Sequence, residues 1–179
     1  MGSRYGGVVN VLNSYRGSRR ETGGEPSTDG PTELLAVIGA AGGPKGWADS
    51  LGNHQLTSTR SGILKAQAVE QAATGLQQRG VERPHDLAGL SPDRLDELKG
   101  TWRAIPGQRS GISWRYLLLL IGMPEVKPDR MIVRFVSAAV GRKSDLGTTA
   151  ELVRAAAPEL GTDVRTLDHR IWRFQSGRG

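Results

Sequence analysis

The part of the chain that most constrains its fold runs from residue 105 to residue 135 and reads IPGQRSGISWRYLLLLIGMPEVKPDRMIVRF. It contains a Pro-Gly turn, a nearly all-apolar segment over residues 112–121, and a Pro-Asp pair that opens a second apolar segment. The first apolar segment is too short to span a bilayer, which requires about 20 apolar residues. We therefore expect a core helix that is buried on both faces, with further helices packed around it.

The turn before this helix has the composition of an anion-binding site. Gly107 permits a close backbone approach, Ser110 is placed to cap the helix, and backbone N–H groups at a helix N-terminus point outward. Such a turn suits a phosphate. The residues predicted to contact it are Gly107, Gln108, Arg109, Ser110 and Gly111. The alternative is a structural turn between two core helices, with Arg109 solvated or paired with an acid.

The remaining sequence predicts helices and no strands. Helical patterns cover residues 5–20, 31–42, 65–79 and 91–100, with a short helix around Trp47. A Thr148–Glu151 capping box begins a helix that Pro158 ends, and Thr162 caps the last helix. We predict an all-α fold in which residues 1–179 form one domain and residues 21–30 form a flexible loop.

Composition excludes several classes of protein. The 24 Lys and Arg against 18 Asp and Glu give a net charge of +6, which permits nucleic-acid binding without requiring it. The absence of cysteine excludes disulfides and thiolate metal sites, and three widely spaced histidines make a metal site unexpected. Met1 to Tyr5 leads into a mixed polar segment without a long apolar run, so we expect no signal peptide, no membrane span and a cytoplasmic location.

The order of the motifs resembles the helix-hairpin-helix superfamily of DNA glycosylases, which includes endonuclease III, adenine glycosylases and alkyl-base glycosylases. The matching positions are Ile105-Pro106-Gly107 for the family's Leu-Pro-Gly turn, Gly122-Met123-Pro124 for its Gly-x-Pro loop, and Asp129 for its aspartate at the start of the next helix. The resemblance covers residues 105–135 and extends back to about residue 91, so residues 91–141 form its core region.

The resemblance implies two helical lobes flanking a groove, duplex DNA as the partner, and a role in DNA repair. It also implies that Asp129 is the catalytic carboxylate, activating water or stabilising positive charge on the sugar as a base leaves. The alternative for Asp129 is a plain helix cap. Arg109 replaces the second hairpin glycine, and Gly111 stands where lyase-active members carry lysine, so no strand cleavage is expected. Without cysteine the chain holds no iron–sulfur cluster, and we expect no cofactor.

Other residues are candidates for contacts with a groove or an extruded base. Asn53, His54 and Gln55 lie in a long polar loop over residues 52–62, and loops of this kind are often functional. Trp114 is a candidate for stacking on a base and Arg130 for lining a groove. The respective alternatives are a hydrogen-bonded loop, a core aromatic and a solvated helix face.

Three functional hypotheses follow from these patterns. The first is a DNA-binding protein resembling base-excision glycosylases, a hydrolase that acts as a monofunctional N-glycosylase. The second is a non-catalytic helix-hairpin-helix module that binds nucleic acid. The third is an α-helical protein that binds another ligand through the loop over residues 53–60.

Overall fold

The structure is a computed structural model that describes residues 5–177, with the side chains of residues 7–177. Within this range the chain is all-α, as the sequence predicts: it contains ten helices, and its only β-structure is an isolated bridge between Leu56 and Leu64. Residues 1–4, which enter the prediction about a signal peptide, lie outside the described range. The chain separates into two compact units, the first ending at Arg109 and the second beginning at Ser110.

The first unit contains six helices. They are α1 (Tyr5–Glu21), α2 (Pro31–Ala40), α3 (Gly43–Ser50), α4 (Lys65–Gln77), α5 (Pro84–Ala88) and α6 (Pro92–Ala104). Proline is the first residue of α2, α5 and α6, where it lacks an N–H that the helix would not use. The short helix α5 is not predicted by the sequence, and α6 continues four residues beyond its predicted end at Gly100.

The core of the first unit is formed where α2 packs against α3 and α4. Its buried residues are Ile38, Trp47, Ala48 and Ala66. The helices α4 and α6 approach closely at Gly75, where an added Cβ would lie 3.4 Å from Thr101 Cγ2. These contacts hold the C-terminal end of α6, and therefore the turn that follows it, on a packed helical support.

The loop between α1 and α2 is anchored to α1 by a carboxylate. Arg19 Nε donates to Asp29 Oδ2 at 2.7 Å and Arg19 Nη2 to Oδ1 at 2.8 Å, while Tyr15 Oη donates to Oδ2 at 2.5 Å. The pKa of Asp29 is lowered, chiefly by the hydrogen bonds from Arg19, whereas burial of the carboxylate acts in the opposite direction. The loop that the sequence indicates to be flexible therefore ends in a fixed ion pair.

The second unit contains four helices, α7 (Ile112–Leu120), α8 (Arg130–Ala139), α9 (Leu146–Glu159) and α10 (Val164–Ser176). Its core comprises Val126, Ile132, Val136, Ala150, Val153 and Ile171. On α7 only one face is buried: Trp114 is 3% exposed, whereas Tyr116 is 41% and Leu120 61% exposed. The prediction that this helix is buried on both faces is therefore wrong.

The starts of α9 and α10 both differ from their predictions, and in both helices an aspartate is the cap. Asp145 and Asp163 are the N-caps, each accepting a backbone bond from the threonine three residues later, and each threonine hydroxyl donates to the second carboxylate oxygen. The predictions that Thr148 and Thr162 begin these helices are wrong, because Asp145, three residues before Thr148, and Asp163, one residue after Thr162, take the cap positions, and aspartate caps at least as well as threonine. Pro158 lies inside the last turn of α9 and does not end it.

The helices α8 and α10 run side by side in the same direction. The backbone N–H of Lys127, just before α8, donates to Asp168 of α10 at 3.0 Å, and Arg134 Nε donates to Gln175 Oε1 at 2.6 Å. Both pairs are separated by 41 positions, so the register of the two helices is set at both ends.

Candidate functional site

The turn after α6 has a fixed backbone and an exposed basic side chain. Gly107 adopts φ +85°, and the N–H of Gln108 closes the turn by donating to the Ile105 carbonyl at 2.9 Å. Arg103 Nε donates to the Arg109 carbonyl at 2.9 Å, while the Arg109 side chain is exposed. The backbone N–H of Gln108 is thus used within the turn, and the Arg109 side chain presents its charge to solvent.

The close approach of Thr57 also requires a glycine at position 107. A Cβ added at Gly107 would lie 2.6 Å from both Cβ and Oγ1 of Thr57, a residue of the polar loop. Thr57 in turn is paired through its N–H with the Ile63 carbonyl at 2.9 Å. The structure therefore brings the turn against residue 57 of the polar loop, a contact between segments 50 residues apart that no local pattern indicates.

The second unit opens with a glycine cap. Gly111, at φ +72°, is the N-cap of α7, and no side chain caps this end of the helix. Ser110 Oγ accepts from the N–H of Ile112 at 3.4 Å, one residue before the N–H groups that a capping side chain normally serves. The N-cap is therefore Gly111 and not Ser110, although Ser110 accepts a first-turn N–H as predicted. Ser110 is exposed whereas Gly111 is buried, so only Ser110 of these two presents surface for a ligand.

Asp129 is the N-cap of α8. Its Oδ1 accepts from the backbone N–H groups of Met131 at 2.8 Å and Ile132 at 3.3 Å. Its Oδ2 lies 3.8 Å from Lys127 Nζ, and that ammonium group lies 4.0 Å from the ring centroid of Tyr116. The capping geometry predicted by the alternative interpretation is present, and one carboxylate oxygen remains directed at Lys127.

A buried acid lies beside this cap. Asp168 on α10 is 7% exposed and accepts the Lys127 backbone N–H, which holds the segment before α8 in place. The pKa of Asp168 is raised to about 6, chiefly by burial and less by the Asp129 carboxylate, while the Lys127 N–H acts in the opposite direction. A carboxyl group with this pKa changes protonation near neutral pH.

Asp168 was not among the site residues predicted from the sequence. A signal was present: the residue lies on the apolar stripe of α10 formed by Val164, Leu167 and Ile171, where a carboxylate is out of place unless it is bonded.

The segment between α7 and α8 is held by a second acid. Glu125 Oε1 accepts from Arg115 Nη1 at 3.0 Å, from the Val126 N–H at 2.8 Å, and from Arg154 Nη2. These bonds join α7 and α9 to the segment that carries Lys127 and Asp129. The loop before α8 is therefore positioned from both sides, by Glu125 and by Asp168.

The polar loop residues make local hydrogen bonds. His54 Nε2 lies 2.6 Å from Asp49 Oδ1, Asn53 Oδ1 accepts from the Gln55 N–H at 3.3 Å, and Gln55 Oε1 accepts from Lys65 Nζ at 2.7 Å. Asn53 and Gln55 also border a pocket of about 230 Å³ in the first unit, which is otherwise lined mainly by Val8, Val11, Leu12, Trp47, Leu51, Ala66 and Val69. The structure thus places these two residues beside a largely apolar pocket.

The other two candidates have contrasting positions. Trp114 is 3% exposed and belongs to the core, as the alternative interpretation of this residue predicts, so its ring has no face open to a ligand. Arg130 is exposed at the first position of α8, directly after Asp129. Of the residues predicted to contact a base or a groove, Arg130 therefore follows Asp129 on the surface, and Trp114 lies within the core.

Two further properties concern the described part of the chain. Among residues 5–177, no helix is both long and apolar enough to cross a membrane. In the same range, no group of three or more His, Asp or Glu side chains is arranged to hold a metal ion.

These features define an all-α protein with an exposed basic turn and a helix start positioned by Glu125 and the buried Asp168. The chain belongs to the family described as a domain of unknown function (DUF8548), whose model matches residues 1–176. Comparisons with curated proteins and with solved structures gave no match.

Proposed function

We propose that this protein binds DNA and that the exposed turn over residues 106–110 contacts the DNA backbone. The observation that supports this function best is Arg109, whose side chain is exposed on a backbone fixed at Gly107, at Gln108 and at its own carbonyl. A guanidinium on a preorganised backbone binds phosphate with little loss of conformational entropy. The net charge of +6 acts in the same direction.

The structure narrows the residues of the proposed contact. Gly107, Arg109 and Ser110 are the exposed members of the predicted set, Gln108 is half-buried and Gly111 is buried. Gln108 and Gly111 serve the backbone geometry, the first through its bond to Ile105 and the second through its left-handed conformation. In this proposal Gln108 and Gly111 shape the turn and do not themselves bind phosphate.

Equilibrium binding to duplex DNA tests this function. Affinity for an undamaged duplex is expected to fall by about tenfold or more between about 50 and about 200 mM salt, because each neutralised phosphate releases counterions. An affinity that is undetectable at the lower salt concentration, or that does not change with salt, would contradict the proposal.

We propose as a second function that the protein is a monofunctional N-glycosylase in which Asp129 stabilises the cationic sugar. The support is the environment of Asp129, where one oxygen caps α8, the other is directed at Lys127, and Glu125 and Asp168 fix the loop. A carboxylate held in one orientation can stabilise positive charge without reorganising. Gly111, in place of a lysine nucleophile, is consistent with base release without strand cleavage.

Base release from a panel of lesion-bearing duplexes tests this second function. Asp129→Asn removes the charge while an amide can still cap the helix, so the fold and DNA binding are expected to persist while release is lost. Asp163→Asn is the matched control, since Asp163 caps α10 in the same way. Equal release by the two variants, or no release from any duplex by the wild type, would exclude catalysis by Asp129.

A further inference from the structure

The second unit carries an exposed surface that the proposed DNA-backbone turn does not use. We define the α8–α10 surface by two exposed arginines of α8 and three exposed residues of α10: Arg130, Arg134, Arg170, Arg173 and Phe174. Arg130 and Arg134 are four residues apart and so lie on one face of α8, and Arg170 and Phe174 have the same spacing on α10.

Contacts between the two helices bring these residues onto one continuous surface. Arg134 Nε and Nη2 donate to the side-chain and backbone oxygens of Gln175, which is next to Phe174. The Phe135 and Phe174 rings meet edge to face with centroids 5.9 Å apart. Arg134 is therefore held against α10 by Gln175, and Phe174 is held against α8 by Phe135.

Three arginines of this surface, Arg130, Arg134 and Arg170, form no ion pair in the part of the chain that the structure describes. The acids of α10 and of its cap are used elsewhere, because Asp168 is buried against Lys127 and Asp163 caps the helix. The surface thus presents arginines with positive charge available to a ligand.

Phe174 adds an unusual element to a basic surface. Its side chain is 71% exposed, the largest exposure among the large hydrophobic residues described. An exposed aromatic ring on a surface that also carries arginines matches the two chemical features of a nucleic-acid strand, a planar base and a phosphate. A solvated helix face would account for the arginines but not for an aromatic ring left in water among them.

From this arrangement we infer that the α8–α10 surface binds single-stranded or unpaired nucleic acid, with a base stacked on Phe174 and phosphates contacted by Arg134 and Arg170. An unpaired base is required because a base inside a duplex offers its faces only to its neighbours in the stack. This inference rests on the proposed DNA-binding function and extends it, since it assigns a second contact and a strand preference.

Fluorescence anisotropy of the full chain with two labelled probes tests the inference. One probe is an oligothymidylate of about 12 nucleotides, and the other is an abasic strand of equal length, which keeps the phosphates and lacks the bases. Phe174→Ala is expected to weaken oligothymidylate binding about tenfold and to leave abasic binding nearly unchanged. Arg170→Gln is expected to weaken binding of both probes and to reduce its salt dependence.

Matched controls separate this surface from general effects. Leu160→Ala removes another exposed hydrophobic side chain of the same unit, 66% exposed, and Arg142→Gln removes an exposed arginine outside the surface. Both are expected to bind like the wild type. Phe174→Trp keeps a stacking ring and should retain oligothymidylate affinity, so a loss in Phe174→Ala can be attributed to stacking even if the Phe135 contact affects stability.

Several outcomes would overturn the inference. One is equal wild-type affinity for the two probes, which would mean that charge alone accounts for binding. Another is equal binding by Phe174→Ala and Leu160→Ala. A third is that the surface binds an acidic protein in preference to either strand. The result is separable from the proposed function. Duplex binding that depends on Arg109 but not on Phe174 would leave that function intact, whereas oligothymidylate binding that depends on Phe174 but not on Arg109 would leave only this surface.

Discussion

The carboxylate of Asp168 accepts a hydrogen bond of 3.0 Å from the backbone N–H of Lys127, a residue 41 positions earlier in the chain. This bond joins the middle of α10 to the segment that leads into α8. It also places a buried acid beside the Asp129 cap, and the burial raises the pKa of Asp168 to about 6. A contact that sets the register of two helices is therefore also sensitive to pH.

The first prediction concerns the pH dependence of stability. A carboxyl group whose pKa is higher in the folded than in the unfolded chain stabilises the fold when protonated, so its contribution is complete below the unfolded value of 3.8 and is lost as the pH rises through about 6. Asp168→Asn removes this titration and can still accept the Lys127 bond. The variant should match the wild type near pH 4 and exceed its unfolding free energy by about 3 kcal/mol above about pH 7.

Urea unfolding of both proteins across this pH range provides the measurement. Subtracting one curve from the other removes the contributions of the other carboxylates, including Asp29, Asp145 and Asp163, whose pKa values are lowered. Parallel curves for wild type and variant would show that Asp168 does not titrate in this range.

The second prediction concerns the turn after α6. Gly107→Ala places a Cβ at φ +85° and 2.6 Å from Thr57, so it should lower the unfolding free energy by about 2–3 kcal/mol. Gly100→Ala is the control, because Gly100 lies inside α6 with no atom near its added Cβ. That change should raise stability by about 0.5–1 kcal/mol. Thermal unfolding distinguishes them, and equal effects at the two glycines would contradict the described turn.

The third prediction concerns the Glu125 cluster. Glu125→Gln removes the charge that Arg115 and Arg154 share, and should lower the unfolding free energy by about 1 kcal/mol. Asp96→Asn, which removes an exposed pair with Lys99, should cost less than about 0.5 kcal/mol. Chemical unfolding at low and high salt measures both changes. A Glu125 variant as stable as the Asp96 variant would mean that the cluster does not secure the loop.

Features encoded by neighbouring residues could be predicted from the sequence. The starts of α2 and α6 follow from Pro31 and Pro92, and the start of α8 follows from the Pro128-Asp129 pair. The predicted starts of α9 and α10 were wrong by three residues and by one residue, because Asp145 stands three residues before Thr148 and Asp163 directly follows Thr162, and aspartate and threonine can both cap. Local rules identify such a region without choosing between two suitable caps.

Features that depend on distant residues could not be predicted in this way. The packing of Thr57 on Gly107 and of Asp168 on Lys127 joins segments whose proximity no periodicity encodes. The same limit explains α7, where apolar residues on every side suggested complete burial, although Leu120 is 61% exposed. Among the candidate site residues, the position of Arg109 in the turn was predictable, but the engagement of the Gln108 amide and the burial of Gly111 were not.

The central claim is that Arg109 contacts a DNA phosphate, and the salt dependence of duplex binding tests it most directly. The slope of log affinity against log salt should be smaller by about 1 for Arg109→Gln than for the wild type, since one phosphate contact is lost. Arg142→Gln, which changes net charge equally at another exposed site, should leave the slope unchanged. If the two variants share the wild-type slope, or lower it by the same amount, the turn is not where this protein meets DNA.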